Sequence, residues 1–385
     1  MRATTYAHLA PEHVELLRST EALARDVLAP LSHEGATGRI NRPLVRALAE
    51  HGLLGRALGG AGEVPALELC LIREGLARHC TEAETAFAVQ GLGAHPILAN
   101  GRAAIVEEWL PRLAHGEAVA GFALTEPGAG SDVAALALRA ERDGDSFLLS
   151  GEKTYISNAP DADVYSVFAR TSERGLTALA VPRASEGLSG EPIALLSPHP
   201  IGRLVFDGVR VPGSHVLGQV DQGFKVAMRT LDLFRPSVGA FAVGMAQAAL
   251  DAAVEHVTTR RAFGGTLADL QGVSHQLADV AVAVQAARLL VHSAASAYDR
   301  GIRPTTEAAA MAKLFATETA QRAIDVAIQV HGARALEAGH LLAHLYREVR
   351  ATRIYEGASE VQREVIARRL LRPPRPASAP PPQAA

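Results

Sequence analysis

Cysteine is nearly absent from this chain, with Cys70 and Cys80 the only two. On a single helix they would stand about 15 Å apart, beyond the reach of a disulfide. A reducing, cytoplasmic compartment is therefore expected. Excess charge is also missing: the formal net charge is −3 over 385 residues, which argues against a general binder of nucleic acid or membrane surfaces. The opening MRATTYAHLAPEHVELL has no long apolar core, so no secretion signal is expected. The longest uncharged apolar stretch, SVGAFAVGMAQAAL, ends at Asp251. It is too short for a membrane span of about 20 residues and predicts a buried helix. No HExxH, CxxC pair or GxSxG occurs, which leaves metal-assisted and serine hydrolysis without support.

What is present divides into segments of different character. A hydrophobic content of 48% at this length suits two or three packed units. Residues 1–120 read as helices, with apolar residues three and four apart in EHVELLRSTEALARDVLAPL and RPLVRALAEHGLL. Residues 121–225 contain short β-type runs such as GFALTE, DVYSVFAR and RLVFDGVRVP, and RDGDS is a hairpin signal. Residues 226–372 return to helical periodicity, and residues 373–385, PPRPASAPPPQAA, read as a disordered tail. Ala308, Ala312, Ala316 and Ala320 fall four apart, as do Ala240, Gly244 and Ala248. Such rows let helix axes approach closely, as in an antiparallel bundle. The predicted fold class is α+β, mostly α: a helical domain, a β domain and a helical bundle.

Several segments could carry chemistry, and each has a plain alternative. FALTEPGAGSD is a Gly-rich turn leaving a strand, yet it leads into a hairpin. Neither a phosphate loop nor a dinucleotide fingerprint is supported, because those hand their glycines to a helix. Its use would be to present backbone N–H groups with the hydroxyls of Thr125 and Ser131. GEKTYISNA places Tyr155 and Ser157 on one side of a strand, suited to a flat heterocycle or to a routine half-buried strand. TTRRAFGG sets two arginines beside Phe263; arginine suits phosphate, and a solvated helix end is the ordinary explanation. QVHGARAL looks like a helix end with a glycine stop. In RIYEGASEVQR, Ser359 and Gln362 have the spacing of a capping box. A helix starting at Ser359 would put Glu356 at the joint before its N-terminus.

Together LTEPGAGSD, GEKTYISN, FDGVRVP, RRAFGG, LADLQGVSHQLAD and RIYEGASEVQR occur in the order and near the spacing of the acyl-CoA dehydrogenase family of FAD enzymes. The chain resembles that family from about residue 10 to 372. The resemblance implies an N-terminal helical domain, a central β domain and a C-terminal four-helix bundle, assembled as a homotetramer. It implies that Phe122, Leu124, Thr125, Gly130, Ser131, Tyr155, Ile156 and Ser157 hold the flavin. Ala358 and Glu360 would also lie at the cofactor. Arg260 and Phe263 would meet the pyrophosphate of a neighbouring subunit's FAD. Leu270 and Gln271 would lie near the adenosine end, with Gln329, Val330 and Gly332. Ser131, Asp232 and Arg235 would contact CoA, Phe234 would point toward the acyl end, and Tyr355 and Gly357 would also touch the substrate. Glu356 would take the pro-R α-proton as the β-hydride passes to flavin N5, its backbone N–H helping to stabilise the enolate oxygen. Electron-transfer flavoprotein is the implied electron acceptor.

The chain departs from the family pattern at Ala333 and Ala335, where two glycines are usual, and at Ala262 and Ala358, where many members have polar side chains. Phe234 occupies a position that bears the catalytic carboxylate in other branches, so Glu356 is expected to act alone. The same ring predicts a small pocket for short, branched or compact cyclic acyl groups. Three alternatives stand beside this reading. One is a flavin monooxygenase or oxidase on the same fold, whose members generally lack the Glu of YEG. Another is a dehydrogenase of carrier-protein-linked acyl groups. The last is a non-catalytic, DNA-associated relative, which would want a basic C-terminal segment in place of this neutral tail.

Overall fold

The computed structural model describes residues 3–59, 63–197, 199–303 and 305–371. The tail expected at 373–385 lies outside the described residues. Seven α-helices open the chain: α1 Pro11–Leu23, α2 Ala29–Ser32, α3 Arg42–Glu50, α4 Leu53–Ala57, α5 Ala66–Ala77, α6 Thr81–Asn100 and α7 Ala103–Ala114. Eight strands follow: β1 Ala120–Ala123, β2 Arg139–Asp143, β3 Ser146–Ser157, β4 Val164–Arg170, β5 Leu176–Pro182, β6 Leu188–Pro192, β7 Ile201–Pro212 and β8 Val216–Leu217. They form one sheet in the order β6-β7-β3-β2-β4-β5-β8, with β1 parallel to β4. The RDGDS hairpin forms as expected, with Asp143 opposite Ser146 and Gly144 at φ 59°.

The chain then enters α8 Gly223–Thr259, a small hairpin of β9 Arg261–Ala262 and β10 Gly265–Thr266, α9 Gln271–Asp299 and α10 Thr306–His331. Two shorter helices, α11 Leu341–Thr352 and α12 Ser359–Leu371, complete the bundle; both pack on α10, and α11 also on α8. The rows of small residues explain the close packing, with one correction of partner. A Cβ at Gly244 would stand 2.5 Å from Glu74 O and 2.7 Å from the Ala77 Cβ, so the Ala240–Gly244–Ala248 row faces α5. Gly239 is the residue that meets Ala312 and Ala316 of α10. Small side chains therefore weld the first helical unit to the bundle as well as the bundle to itself.

By length and composition α8 and α9 could each cross a membrane, contrary to the expectation from the shorter uncharged stretch. The apolar window of α8 is 72% buried inside the protein, which is how a core helix satisfies the same pattern. Cys70 lies in α5 and Cys80 caps α6, accepting from the Ala83 N–H at 3.4 Å, so the two do not share a helix. Both are buried free thiols.

Candidate active site

Glu356 sits in the short loop between α11 and α12, and that loop is strained. Glu356 has φ 51° and Gly357 φ 97°, and the left-handed region is costly for a residue with a side chain. Four hydrogen bonds hold the conformation. Lys313 Nζ donates to Gly357 O at 2.7 Å, Gln362 Nε2 to Gly357 O at 3.0 Å and to Glu356 O at 3.4 Å, and Arg235 Nε to Glu356 O at 3.3 Å. A side chain at residue 357 would be strained at that φ and would also displace the Gln362 amide, which favours glycine there. Both carbonyls are thus turned toward the protein. Among the described residues, no acceptor engages the Glu356 N–H.

The expected capping box does not form. Helix α12 begins at Ser359, but the Ser359 hydroxyl donates to Glu318 Oε1 at 2.7 Å and Gln362 reaches the loop carbonyls. Gln362 serves the loop and Ser359 ties the start of α12 to α10, so neither side chain caps the helix end.

The Glu356 carboxylate is surrounded by cations yet bound to none. Its Oε2 is buried without a hydrogen-bond partner. Burial pushes its pKa above the usual carboxylate range, while Arg73, Lys313 and Arg235 pull against that shift. Burial likewise lowers Lys313 to about 8. Arg235 is oriented by Asp232 at 3.1 Å, and Asp232 also accepts from Thr306 at 3.1 Å, which ties α8 to the start of α10. Phe234 is fully buried, its ring against Gly91 and edge-on to His95 of α6 at 6.0 Å. Tyr355 and Gly357 flank Glu356, and Tyr355 is 36% exposed.

The β-domain residues form a second surface. The Gly-rich turn closes on itself through reciprocal Glu126 and Ala129 hydrogen bonds of 3.1 Å. A Cβ at Gly128 or Gly130 would meet nothing in the protein, so packing does not require these glycines. Thr125 is half-buried, and its carbonyl accepts from the Thr154 N–H at 3.0 Å, which joins the turn to β3. Tyr155 is 58% exposed with φ 54°, at a register shift between Lys153 and Ile156. Ser157 is partly exposed, whereas the Ile156 and Leu124 side chains are buried and offer only main chain to a ligand. Ser131 is exposed, and the Phe122 ring packs tilted at 55° against Phe168, centroids 4.9 Å apart.

Apart from Ala358 and Glu360, which adjoin the Glu356 loop, the remaining predicted residues gather at the far end of the bundle. Arg260 follows α8, and Phe263 and Gly264 form the turn between β9 and β10 with φ of 52° and 85°. Phe263 is 91% exposed. Leu270 and Gln271 open α9, while Gln329, Val330 and Gly332 end α10. His256 stacks on His331 at 4.1 Å, which places the ends of α8 and α10 side by side. Ala333 and Ala335 have no positive φ, so alanine fits there without strain. Glu360 is exposed beside Arg363, and Ala358 is half-buried.

The sequence reading missed a buried support. Lys153, in GEKTYISN, donates to Glu126 Oε1 at 2.7 Å and to Leu124 O at 2.9 Å, and Glu126 accepts the N–H groups of Ala137 and Leu138. It also missed Arg73 and Glu84, an ion pair from α5 and α6 with both side chains buried. The only signal for that pair was charge set among the apolar residues of α5 and α6.

The comparisons with known proteins decide the family. The acyl-CoA dehydrogenase N-terminal, middle and C-terminal domain families match residues 10–117, 121–209 and 221–371. The chain belongs to the acyl-CoA dehydrogenase family. A cyclohexane-1-carbonyl-CoA dehydrogenase of Geobacter metallireducens is 34% identical, over 94% of this chain and 98% of that protein. The mitochondrial short-chain specific acyl-CoA dehydrogenase of Sus scrofa is 37% identical, over 94% of this chain and 91% of its own length. In three dimensions the butyryl-CoA dehydrogenase of Megasphaera elsdenii matches with a TM-score of 0.88 at 33% identity, covering 94% of this chain and 99% of that one. This acyl-CoA dehydrogenase is an oxidoreductase acting on CH–CH bonds with FAD as its cofactor. The residues present fit that cofactor: the β surface offers hydroxyls, an exposed ring and glycines that packing does not explain.

Proposed function

We propose that Glu356 is the base of this acyl-CoA dehydrogenase, removing the α-proton of the thioester. The observation that carries the reading is a buried, unpartnered carboxylate oxygen on a loop whose backbone is pinned from three sides. A carboxylate kept from water and left without a hydrogen bond is a stronger base. The free Glu356 N–H is the donor for the oxygen on which charge develops. Lys313, Arg235 and Gln362 position that N–H by fixing the neighbouring carbonyls. FAD, when bound, supplies the acceptor for the β-hydride. Thr125, Tyr155 and Ser157 would hold it.

A raised pKa sets the pH dependence. The base must be ionised, so substrate-driven bleaching of the flavin should fall as pH drops through a value above the ordinary 4.5 of a glutamate. A rate unchanged down to pH values below that ordinary range would contradict this assignment.

The acyl group is proposed to be short, branched or compact and cyclic, because Phe234 fills the space between α8 and α6. Turnover of a panel of acyl-CoA esters, with an artificial acceptor and with electron-transfer flavoprotein, tests both the substrate class and the acceptor. Preference for long chains over butanoyl-CoA would contradict the small pocket.

The neighbouring subunit enters through geometry. Arg235 lies within α8 and Arg260 directly follows its end, the two about 37 Å apart along the axis at the helical rise per residue. A single subunit therefore cannot bring both to one reacting centre. Phe263, Val282 and Leu336, each more than two-thirds exposed, leave apolar surface at the bundle for a partner. A homotetramer, or at least a dimer, is expected by light scattering. A monomer that retains FAD tightly would overturn that expectation.

A further inference from the structure

Arg73 and Glu84 are buried beside the site and make no hydrogen bond to Glu356. The Arg73 guanidinium binds Glu84 Oε1 and donates to Ser237 Oγ at 2.6 Å, and Ser237 in turn donates to Phe234 O at 2.6 Å. Glu84 Oε2 is buried with no partner. On α6, Glu84, Ala88, Gly91 and His95 recur at helical spacing along one face. Gly91 and His95 of that face meet Phe234. The same stretch of α8, residues 234–237, holds the Glu356 carbonyl through Arg235. Glu84, Arg73 and Glu356 all act electrostatically on the Tyr355 hydroxyl. The pair thus borders the region where the acyl chain is expected.

An acyl site for plain hydrocarbon has no use for this pair. Desolvating each ion costs several kcal/mol, and well-packed apolar residues would be as stable or more so. An acceptor oxygen left unfilled adds a further penalty. We infer that Arg73 and Glu84 form the polar end of the acyl site, and that Glu84 Oε2 accepts a hydrogen bond from a hydroxyl on the distal part of the acyl group. This inference rests on the dehydrogenase reading above. A dicarboxylic acyl group is disfavoured, since its carboxylate would meet Glu84 while Arg73 is already held by Glu84 and Ser237. Burial pushes the Glu84 carboxyl up to about 7, against the pull of Arg73. A hydroxyl can donate or accept and so matches either protonation state; a methyl group matches neither.

The test compares ω-hydroxybutanoyl-CoA, butanoyl-CoA and succinyl-CoA on the holoenzyme, by kcat/KM and by calorimetric binding to the Glu356→Gln holoenzyme. The hydroxyl should be favoured over the methyl by at least about tenfold, because a site built for a hydrogen bond rejects a ligand lacking it. Succinyl-CoA should be the poorest of the three. The double variant Arg73→Met with Glu84→Leu, which replaces the pair by apolar groups, should reverse the preference between hydroxyl and methyl. Equal or better use of butanoyl-CoA by the wild type overturns the proposal even if the double variant fails to fold. So does an unchanged ratio in the folded variant. Butanoyl-CoA oxidised without a hydroxyl preference defeats this inference alone, whereas no bleaching by any acyl-CoA defeats the dehydrogenase reading with it.

Discussion

Glu356→Gln should bind FAD and acyl-CoA normally and lose substrate-driven flavin bleaching at least about a thousandfold, or roughly 4 kcal/mol of barrier. The amide keeps the shape of the side chain and the backbone N–H but cannot take a proton. The loop should survive the change, because its carbonyls are held by Lys313, Arg235 and Gln362 rather than by the carboxylate. Moving the base tests the same point differently. Glu356→Gly with Phe234→Glu should recover part of the rate, since Phe234 lies on the same stretch of α8 as Arg235. The structure adds that Glu84 and Arg73 border this region, so a carboxylate at 234 would enter a charged neighbourhood.

Lys153→Met is expected to be the most destabilising single change in the β domain, by about 3–5 kcal/mol in chemical denaturation. Its ammonium is completely buried, and it is the counter-charge of Glu126. Removing it strands an ionised carboxylate and the carbonyl of Leu124. Lys153→Met with Glu126→Gln should recover part of the loss, since the amide carries no charge to strand and its one oxygen still accepts one of the N–H groups of Ala137 and Leu138. A single variant within about 1 kcal/mol of wild type would show that the pair is not the anchor of the Gly-rich turn.

The legible parts of the chain are those written in local patterns. Periodicity marked the helices on either side of a β region, and RDGDS marked the hairpin now seen between Asp143 and Ser146. The Ser359–Gln362 spacing placed Glu356 at a joint before α12, and the joint is there although the capping box is not. What local pattern cannot carry is the choice of partner. Gly244 could face any helix, and only the packed structure sets it against α5. Ser359 and Gln362 have capping-box spacing, yet Ser359 turns to Glu318 of α10 and Gln362 to the strained loop. Arg73 and Glu84 are eleven positions apart on different helices, and their meeting with Ser237 depends on tertiary packing.

The central claim is that Glu356 takes the α-proton, and α-hydrogen exchange isolates that step from hydride transfer. tert-Butylacetyl-CoA has an α-methylene and no β-hydrogen, so the holoenzyme cannot oxidise it. In deuterated buffer the wild type should wash deuterium into the α-carbon, read by mass spectrometry, and Glu356→Gln should remain at the background of the free thioester. Equal incorporation by the two enzymes would contradict the account.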